Sequence, residues 1–142
     1  MNFEELMLRA VTNAETFKYT AKPNPVVGAI LCNDNEIISE GYHEIYGSNH
    51  AEINAISNAR KHQGKKFNNF SELALVCTLE PCSHVGKTGS CAKQIVETGI
   101  KKVVIGSIDP HPKVAGKGIE ILKKNGIDVT VGIHQGLSLI HI

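Results

Sequence analysis

The chain is poor in aromatic residues, has no excess of one charge and lacks long apolar runs. Its 142 residues include no tryptophan, three tyrosines and four phenylalanines, and the net charge is +1 at pH 7. A nucleic-acid-binding surface usually combines a basic stripe with stacking rings, so we expect no nucleic-acid partner. No segment has the length of an apolar membrane span, and the acidic start Met1-Asn2-Phe3-Glu4-Glu5 is unlike a secretory signal. These absences predict a cytoplasmic protein without a membrane partner.

The order of the apolar segments predicts one α/β domain over residues 1–133. Two strands joined by a turn follow the first helix, and strands alternate with helices in the second half, which indicates parallel crossovers there. Residues 134–142 are apolar and end abruptly, as a truncated or non-native tail would, and we assign them no function. The predicted helices cover 3–17, the residues after Asn49, 91–98 and 116–124, and the predicted strands cover 26–32, 36–42, 73–79, 103–106 and 127–131.

One histidine and two cysteines form the most informative pattern. His50, Cys82 and Cys91 are three ligands of the kind that bind zinc, and three protein ligands leave a fourth position open for water, as in catalytic zinc sites. Glu52 lies two residues after His50, where it could exchange a proton with that water. Nucleobase deaminases carry an H-x-E…P-C-x-x-C signature, although the two cysteines are further apart here. The pattern therefore predicts zinc-dependent hydrolytic deamination.

Two other interpretations of these residues stay open at this point. His84 lies two residues after Cys82 and would close a structural zinc site as a fourth protein ligand. Glu52 would also fit a capping box with Asn49 at the start of a helix. Cys32 and Cys77 lie within apolar strands and are expected to be small core residues.

Several motifs together resemble the deaminase domain of the bifunctional riboflavin-biosynthesis deaminase/reductase. The resemblance covers the chain up to about residue 133, and it includes the long interval between the two cysteines. The motifs are Pro23-Asn24-Pro25-Val26-Val27-Gly28, Gly41-Tyr42-His43, His50-Ala51-Glu52, residues 78–88 and residues 109–118.

The resemblance implies a cytidine-deaminase-like three-layer α/β/α sandwich with a five-stranded mixed sheet. It implies one zinc ion per chain, held by His50, Cys82 and Cys91, with Glu52 as the proton shuttle. The implied substrate is 2,5-diamino-6-ribosylamino-4(3H)-pyrimidinone 5′-phosphate. The family's substrate-contacting positions correspond here to Asn24, His43, His84, Lys87, Asp109 and His111.

Three of these substrate contacts have a plainer alternative. Asn24 between two prolines fits turn chemistry, Lys87 fits a solvated loop, and His43 fits a surface position at a strand end. Most family members continue into a reductase domain that uses NADPH. Because this sequence shows no Gly-rich dinucleotide fingerprint, we expect neither that domain nor NADPH binding on this chain.

Three functions are therefore compared. The leading one is the riboflavin-pathway pyrimidine deaminase. The others are a deaminase of another base, nucleoside or tRNA adenosine, and a non-catalytic zinc-stabilised module. The near-neutral charge and the cysteine spacing favour the first, and the sequence leaves a homo-oligomer open.

Overall fold

A computed structural model describes residues 2–17, 27–44, 50–62, 70–83, 90–109, 112 and 115–132. Within these ranges the chain forms four helices, one short 3-10 turn and five strands. The elements are α1 (Phe3–Ala14), the 3-10 turn (Glu15–Phe17), β1 (Gly28–Cys32), β2 (Ile37–Tyr42), α2 (Ala51–His62), β3 (Ala74–Leu79), α3 (Cys91–Thr98), β4 (Lys102–Ser107), α4 (Lys117–Lys124) and β5 (Asp128–Val131).

The five strands form one mixed sheet in the order β2-β1-β3-β4-β5. The strand β1 is antiparallel to both of its neighbours, whereas β3, β4 and β5 run parallel. The strands β1 and β2 form a hairpin. In the turn between them the side chain of Asn33 accepts the backbone N–H groups of Asn35 and Glu36, each at 2.8 Å. The predicted hairpin and the predicted parallel second half are both confirmed.

Alternate residues of the strands face opposite layers of helix. Ile30, Val76 and Val104 pack with α1 on one face of the sheet. Leu31, Leu75 and Val103 lie on the other face and pack with residues of α2, α3 and α4. Both faces are covered, so the central strands are buried and apolar throughout. The predicted three-layer α/β/α arrangement is confirmed, and Cys32 and Cys77 are buried in it as expected.

The helix α2 lies unusually close to the edge strand β2. A Cβ atom at Gly41 would collide with the backbone of Ala51 and Ala55, so only glycine permits this approach. Asn54 and Asn58 donate from α2 to the carbonyl groups of Tyr42 and Glu40 at 2.7 and 2.8 Å. These contacts cover the sheet edge and fix the start of α2, which matters for the site described below.

The boundary between the domain and the tail stays a prediction, because residues 133–142 lie outside the described residues. Among the helices in the described ranges, none is long and apolar enough to cross a membrane.

Candidate active site

The three predicted zinc ligands converge at the carboxyl end of β3. Cys82 follows that strand, Cys91 begins α3 and His50 immediately precedes α2. Their potential ligand atoms all lie within 4.8 Å of one another. His50 Nδ1 is 3.2 Å from Cys91 Sγ and 3.8 Å from Cys82 Sγ. One imidazole nitrogen and two sulfur atoms are a donor set that suits zinc, so the residues present fit the expected ion.

Backbone contacts at the start of α3 explain how cysteines nine positions apart come together. The Cys91 N–H donates to Cys82 Sγ at 3.3 Å. The Ala92 N–H and the Ser90 hydroxyl both donate to the Cys82 carbonyl oxygen, at 3.0 and 3.1 Å. Ser90 also caps α3 by accepting the Lys93 N–H at 3.3 Å. These contacts hold Cys82 against the first turn of the helix that Cys91 begins.

The local electrostatics favour a thiolate at Cys82. The Cys91 thiol, the Cys91 backbone N–H and His50 all donate toward this sulfur, and together they lower the pKa of Cys82 to about 4. The Cys82 thiolate in turn raises the pKa of the Cys91 thiol and that of His50. The two shifts have opposite directions, so a thiolate is favoured at Cys82 rather than at Cys91, and metal coordination would deprotonate the second thiol as well.

Glu52 is a buried carboxyl group in the first turn of α2. Its exposed fraction is 3%, and burial is the main cause that raises its pKa. A raised pKa makes a carboxyl group a better proton acceptor, which suits a group that must take up a proton and then release it. The alternative capping contact with Asn49 lies outside the described residues.

A cavity of about 130 Å³ is lined by His50, Cys82 and Glu52. Its walls also include His43, Leu79, Glu80 and Asp109. A larger cavity of about 290 Å³ lies between α2 and α3, lined by residues such as Ile56, Arg60 and Gln94, but it contains none of the ligand set. The smaller cavity is therefore the candidate site, because it combines metal ligands with a buried acid.

His43 lies inside the molecule at this cavity. Only 3% of it is exposed, and its ring meets that of His50 edge to face with centroids 5.3 Å apart. Its backbone N–H donates to the Val27 carbonyl oxygen at 3.1 Å. The alternative that His43 is a surface residue is wrong, because its ring lies against that of His50, the residue that precedes α2.

Of the other predicted substrate contacts, only Asp109 falls within the described residues, and it lines the cavity. Asn24, His84, Lys87 and His111 lie outside the described residues. Their roles, and the closed zinc site that would use His84, therefore stay predictions.

Sequence analysis missed Glu80, a buried glutamate two residues before Cys82. Its carboxylate accepts four backbone N–H groups from the segment between β4 and α4 and from the first turn of α4. A usable signal was the start of α4 itself, where Gly116 has no side chain with which to cap the helix.

Comparisons with known proteins agree with this geometry. The family profile described as the cytidine and deoxycytidylate deaminase zinc-binding region matches residues 1–107. The diaminohydroxyphosphoribosylamino-pyrimidine deaminase of Buchnera aphidicola subsp. Schizaphis graminum is 44% identical over 127 residues, which are 89% of this chain and 82% of that protein.

Two solved structures have the same fold at substantial identity. Acinetobacter baumannii RibD superposes with a TM-score of 0.88 at 39% identity over 98% of this chain. A diaminohydroxyphosphoribosylaminopyrimidine deaminase/5-amino-6-(5-phosphoribosylamino)uracil reductase from Thermotoga maritima superposes with a TM-score of 0.85 at 42% identity over 96% of this chain. This chain spans only 37% and 38% of the lengths of those two chains.

Proposed function

The chain belongs to the cytidine and deoxycytidylate deaminase zinc-binding family, and we propose that it deaminates 2,5-diamino-6-ribosylamino-4(3H)-pyrimidinone 5′-phosphate in riboflavin biosynthesis. Its class is that of a zinc-dependent hydrolase acting on the C–N bond of a cyclic amidine. The observation that carries the proposal is the cluster of His50, Cys82 and Cys91 beside a cavity that His50, Cys82 and the buried Glu52 line. The substrate is the one that the name of the Buchnera relative specifies.

His50, Cys82 and Cys91 would hold the zinc ion. When bound, zinc supplies Lewis-acid activation of water, whose pKa falls to roughly 7 in such sites. His50 immediately precedes α2 and Cys91 begins α3, while Cys82 follows β3 and its sulfur accepts the Cys91 N–H. Glu52 lines the same cavity as His50 and Cys82, so it would be the proton acceptor for the activated water.

Glu52 would act as base and then as acid. It accepts one proton from the attacking water and passes it to the ring nitrogen next to the reacting carbon. The second water proton leaves with the amine, so the C–N bond breaks, a C=O bond forms and ammonia departs. Burial raises the Glu52 pKa, which favours uptake of the proton from water.

The remaining polar residues would orient the substrate. His43 and Asp109 already line the cavity. We extend the proposal to Asn24 for the edge of the pyrimidinone ring, and to His84, Lys87 and His111 for the rest of the phosphorylated substrate, since amide, imidazole and ammonium groups suit such acceptors and donors.

We also place the chain in the cytoplasm. Cys82 and Cys91 must be reduced to bind zinc, and the four cysteines are all unpaired. Thiols stay reduced in that compartment. The relative from Thermotoga maritima is named as a reductase as well as a deaminase, and we assign only the deamination step to this chain.

An ammonia-release assay tests the function. The zinc-loaded protein should turn over the phosphorylated diaminopyrimidinone and not cytidine, guanine or tRNA adenosine. Glu52→Gln should lower kcat by about 10²–10⁴-fold, the usual contribution of general acid–base catalysis, while zinc stays bound. Glu120→Gln is the matched control, because the side chain of Glu120 is 62% exposed. Undiminished turnover by zinc-loaded Glu52→Gln would contradict the assigned role, and preference for cytidine or guanine would contradict the substrate.

A further inference from the structure

Glu80 is a buried carboxylate whose two oxygens are both occupied by backbone donors. Oε1 accepts the N–H groups of Asp109 at 3.2 Å and Gly116 at 2.9 Å. Oε2 accepts those of Gly118 at 2.8 Å and Ile119 at 3.2 Å. Only 5% of the residue is exposed. Burying a charged group is costly unless it is hydrogen-bonded, so these four contacts account for its presence in the interior.

The helix α4 depends on this carboxylate because its own sequence provides no cap. Its N-cap is Gly116, at a φ of 82°, and glycine has no side-chain acceptor. The first N–H groups of a helix require acceptors from elsewhere. Glu80 takes the place of the missing cap, and its negative charge suits the positive end of the helix. A Cβ atom at Gly118 would collide with the Pro81 carbonyl oxygen, so α4 packs directly on the backbone next to Cys82.

The same carboxylate also holds Asp109. Asp109 and Gly116 share Oε1, so one oxygen ties the end of the β4 segment to the start of α4. Asp109 and Cys82 line the same cavity, and Glu80 lies two residues before Cys82. The Glu80 N–H donates to the Ser107 carbonyl oxygen at 2.9 Å, which fixes its backbone to the strand that precedes Asp109. Glu80 therefore connects Asp109, in one wall of the cavity, with the backbone that leads to Cys82 in the other wall.

We propose that Glu80 is a positioning residue for the deamination: it sets the place of Asp109 relative to the ligand Cys82 and thereby the affinity for substrate. The proposal rests on the proposed function. Glu80 itself contacts backbone groups and does not take part in the proton transfers. Its loss should therefore move Asp109 while leaving the zinc ligands and Glu52 in place.

The Glu80→Gln variant tests the proposal in the zinc-loaded protein. Glutamine keeps one acceptor oxygen but turns an NH₂ group toward two N–H donors. We expect KM for the phosphorylated diaminopyrimidinone to rise about tenfold, the equivalent of one lost charge-assisted hydrogen bond. Zinc should stay at one per chain, and kcat should change less than about threefold. Glu120→Gln, on the same helix, should behave as wild type. An unchanged KM, or a kcat that falls in step with lost zinc, would overturn the proposal.

A double-mutant cycle asks whether Glu80 acts through Asp109. In an Asp109→Asn background, Glu80→Gln should raise KM less than about threefold, because coupled residues are not additive. The full tenfold increase in both backgrounds would show that Glu80 acts by another route and would refute the proposal.

Amide hydrogen exchange gives a readout that needs no turnover. In wild type, the amides of Asp109 and Gly118 should exchange together and slowly, since one carboxylate protects both. In Glu80→Gln both should exchange about tenfold faster, while the amides of β3 stay unchanged. If the Asp109 amide exchanged in wild type as fast as an unprotected peptide, the hydrogen bond from its N–H to Glu80 Oε1 would be excluded. Failure of the wild type to act on the substrate would refute the proposed function, yet this exchange test would still decide the role of Glu80.

Discussion

Gly41→Ala should disrupt the contact between β2 and α2 and, through it, the active site. A Cβ atom at position 41 would collide with the Ala51 carbonyl oxygen and the Ala55 nitrogen, and it would lie 2.8 Å from the Asn54 carbonyl carbon. Non-bonded carbon atoms settle at roughly 3.5–4.0 Å, so α2 must move by about 1 Å. All the colliding atoms belong to backbone, which cannot rotate out of the way.

The magnitude follows from the hydrogen bonds that this shift would break. Asn54 to Tyr42 O, Asn58 to Glu40 O and Ser39 Oγ to Ala55 O measure 2.7, 2.8 and 2.7 Å. A shift of about 1 Å takes each of them out of hydrogen-bonding range, at about 1 kcal/mol each. With about 1–3 kcal/mol for overpacking, the free energy of unfolding should fall by about 4–6 kcal/mol.

Denaturant unfolding and an activity assay measure the two consequences. Because α2 carries Glu52 in its first turn, any folded Gly41→Ala protein should lose about 10²-fold in turnover from misplacement of that carboxyl group. Gly99→Ala is the control, since nothing lies within 4 Å of a Cβ atom there and only its φ of 87° opposes alanine, at about 1–2 kcal/mol. If Gly41→Ala cost no more stability than Gly99→Ala, the close approach of α2 to β2 would be refuted.

Three further predictions concern the core, the acid limit and the metal. Ile95 is fully buried in α3, so Ile95→Ala should lower the free energy of unfolding by about 2–5 kcal/mol in urea denaturation. The Arg9 hydrogen bond lowers the Glu40 pKa. The stability it contributes is present above the unfolded-state pKa of about 4.3 and is lost as pH falls through the lower folded-state value. In Glu40→Gln the free energy of unfolding should therefore fall less steeply as the pH is lowered. The difference from wild type should be below about 1 kcal/mol, because the Arg9–Glu40 pair is partly exposed. Removing zinc by chelation should abolish ammonia release and lower the melting temperature in calorimetry, with both restored by added zinc.

The local elements could be predicted because their signals are contained in short windows of sequence. The predicted helix over 91–98 and the observed α3 (Cys91–Thr98) coincide, since the cap Ser90 and the αL glycine Gly99 mark both ends. The strand predicted over 73–79 is observed as Ala74–Leu79. The clustering of His50, Cys82 and Cys91 could be predicted as well, because zinc chemistry explains this pattern of residue types.

Contacts between distant segments could not be predicted in the same way. The partners of Glu80 begin at Asp109, twenty-nine residues along the chain, and all of them are backbone groups. The uncapped start of α4 at Gly116 indicates that an acceptor is needed, but it does not indicate which residue supplies it. The burial of His43 depends on where α2 places His50, which strand periodicity does not show. Gly41 looks like an ordinary turn or strand glycine until the backbone of α2 lies against it.

The two buried glutamates of the cavity illustrate what the structure adds to the motif. In sequence they are alike, since Glu52 follows His50 by two residues and Glu80 precedes Cys82 by two. In the fold Glu80 has four backbone donors on its two oxygens, which fix the position of its side chain. Glu52 is governed instead by burial, which raises its pKa and favours uptake of a proton. A proton shuttle needs its two protonation states close in free energy, and a positioning group needs all its acceptor positions filled. Substituting Glu52 should therefore affect mainly kcat, and substituting Glu80 mainly KM.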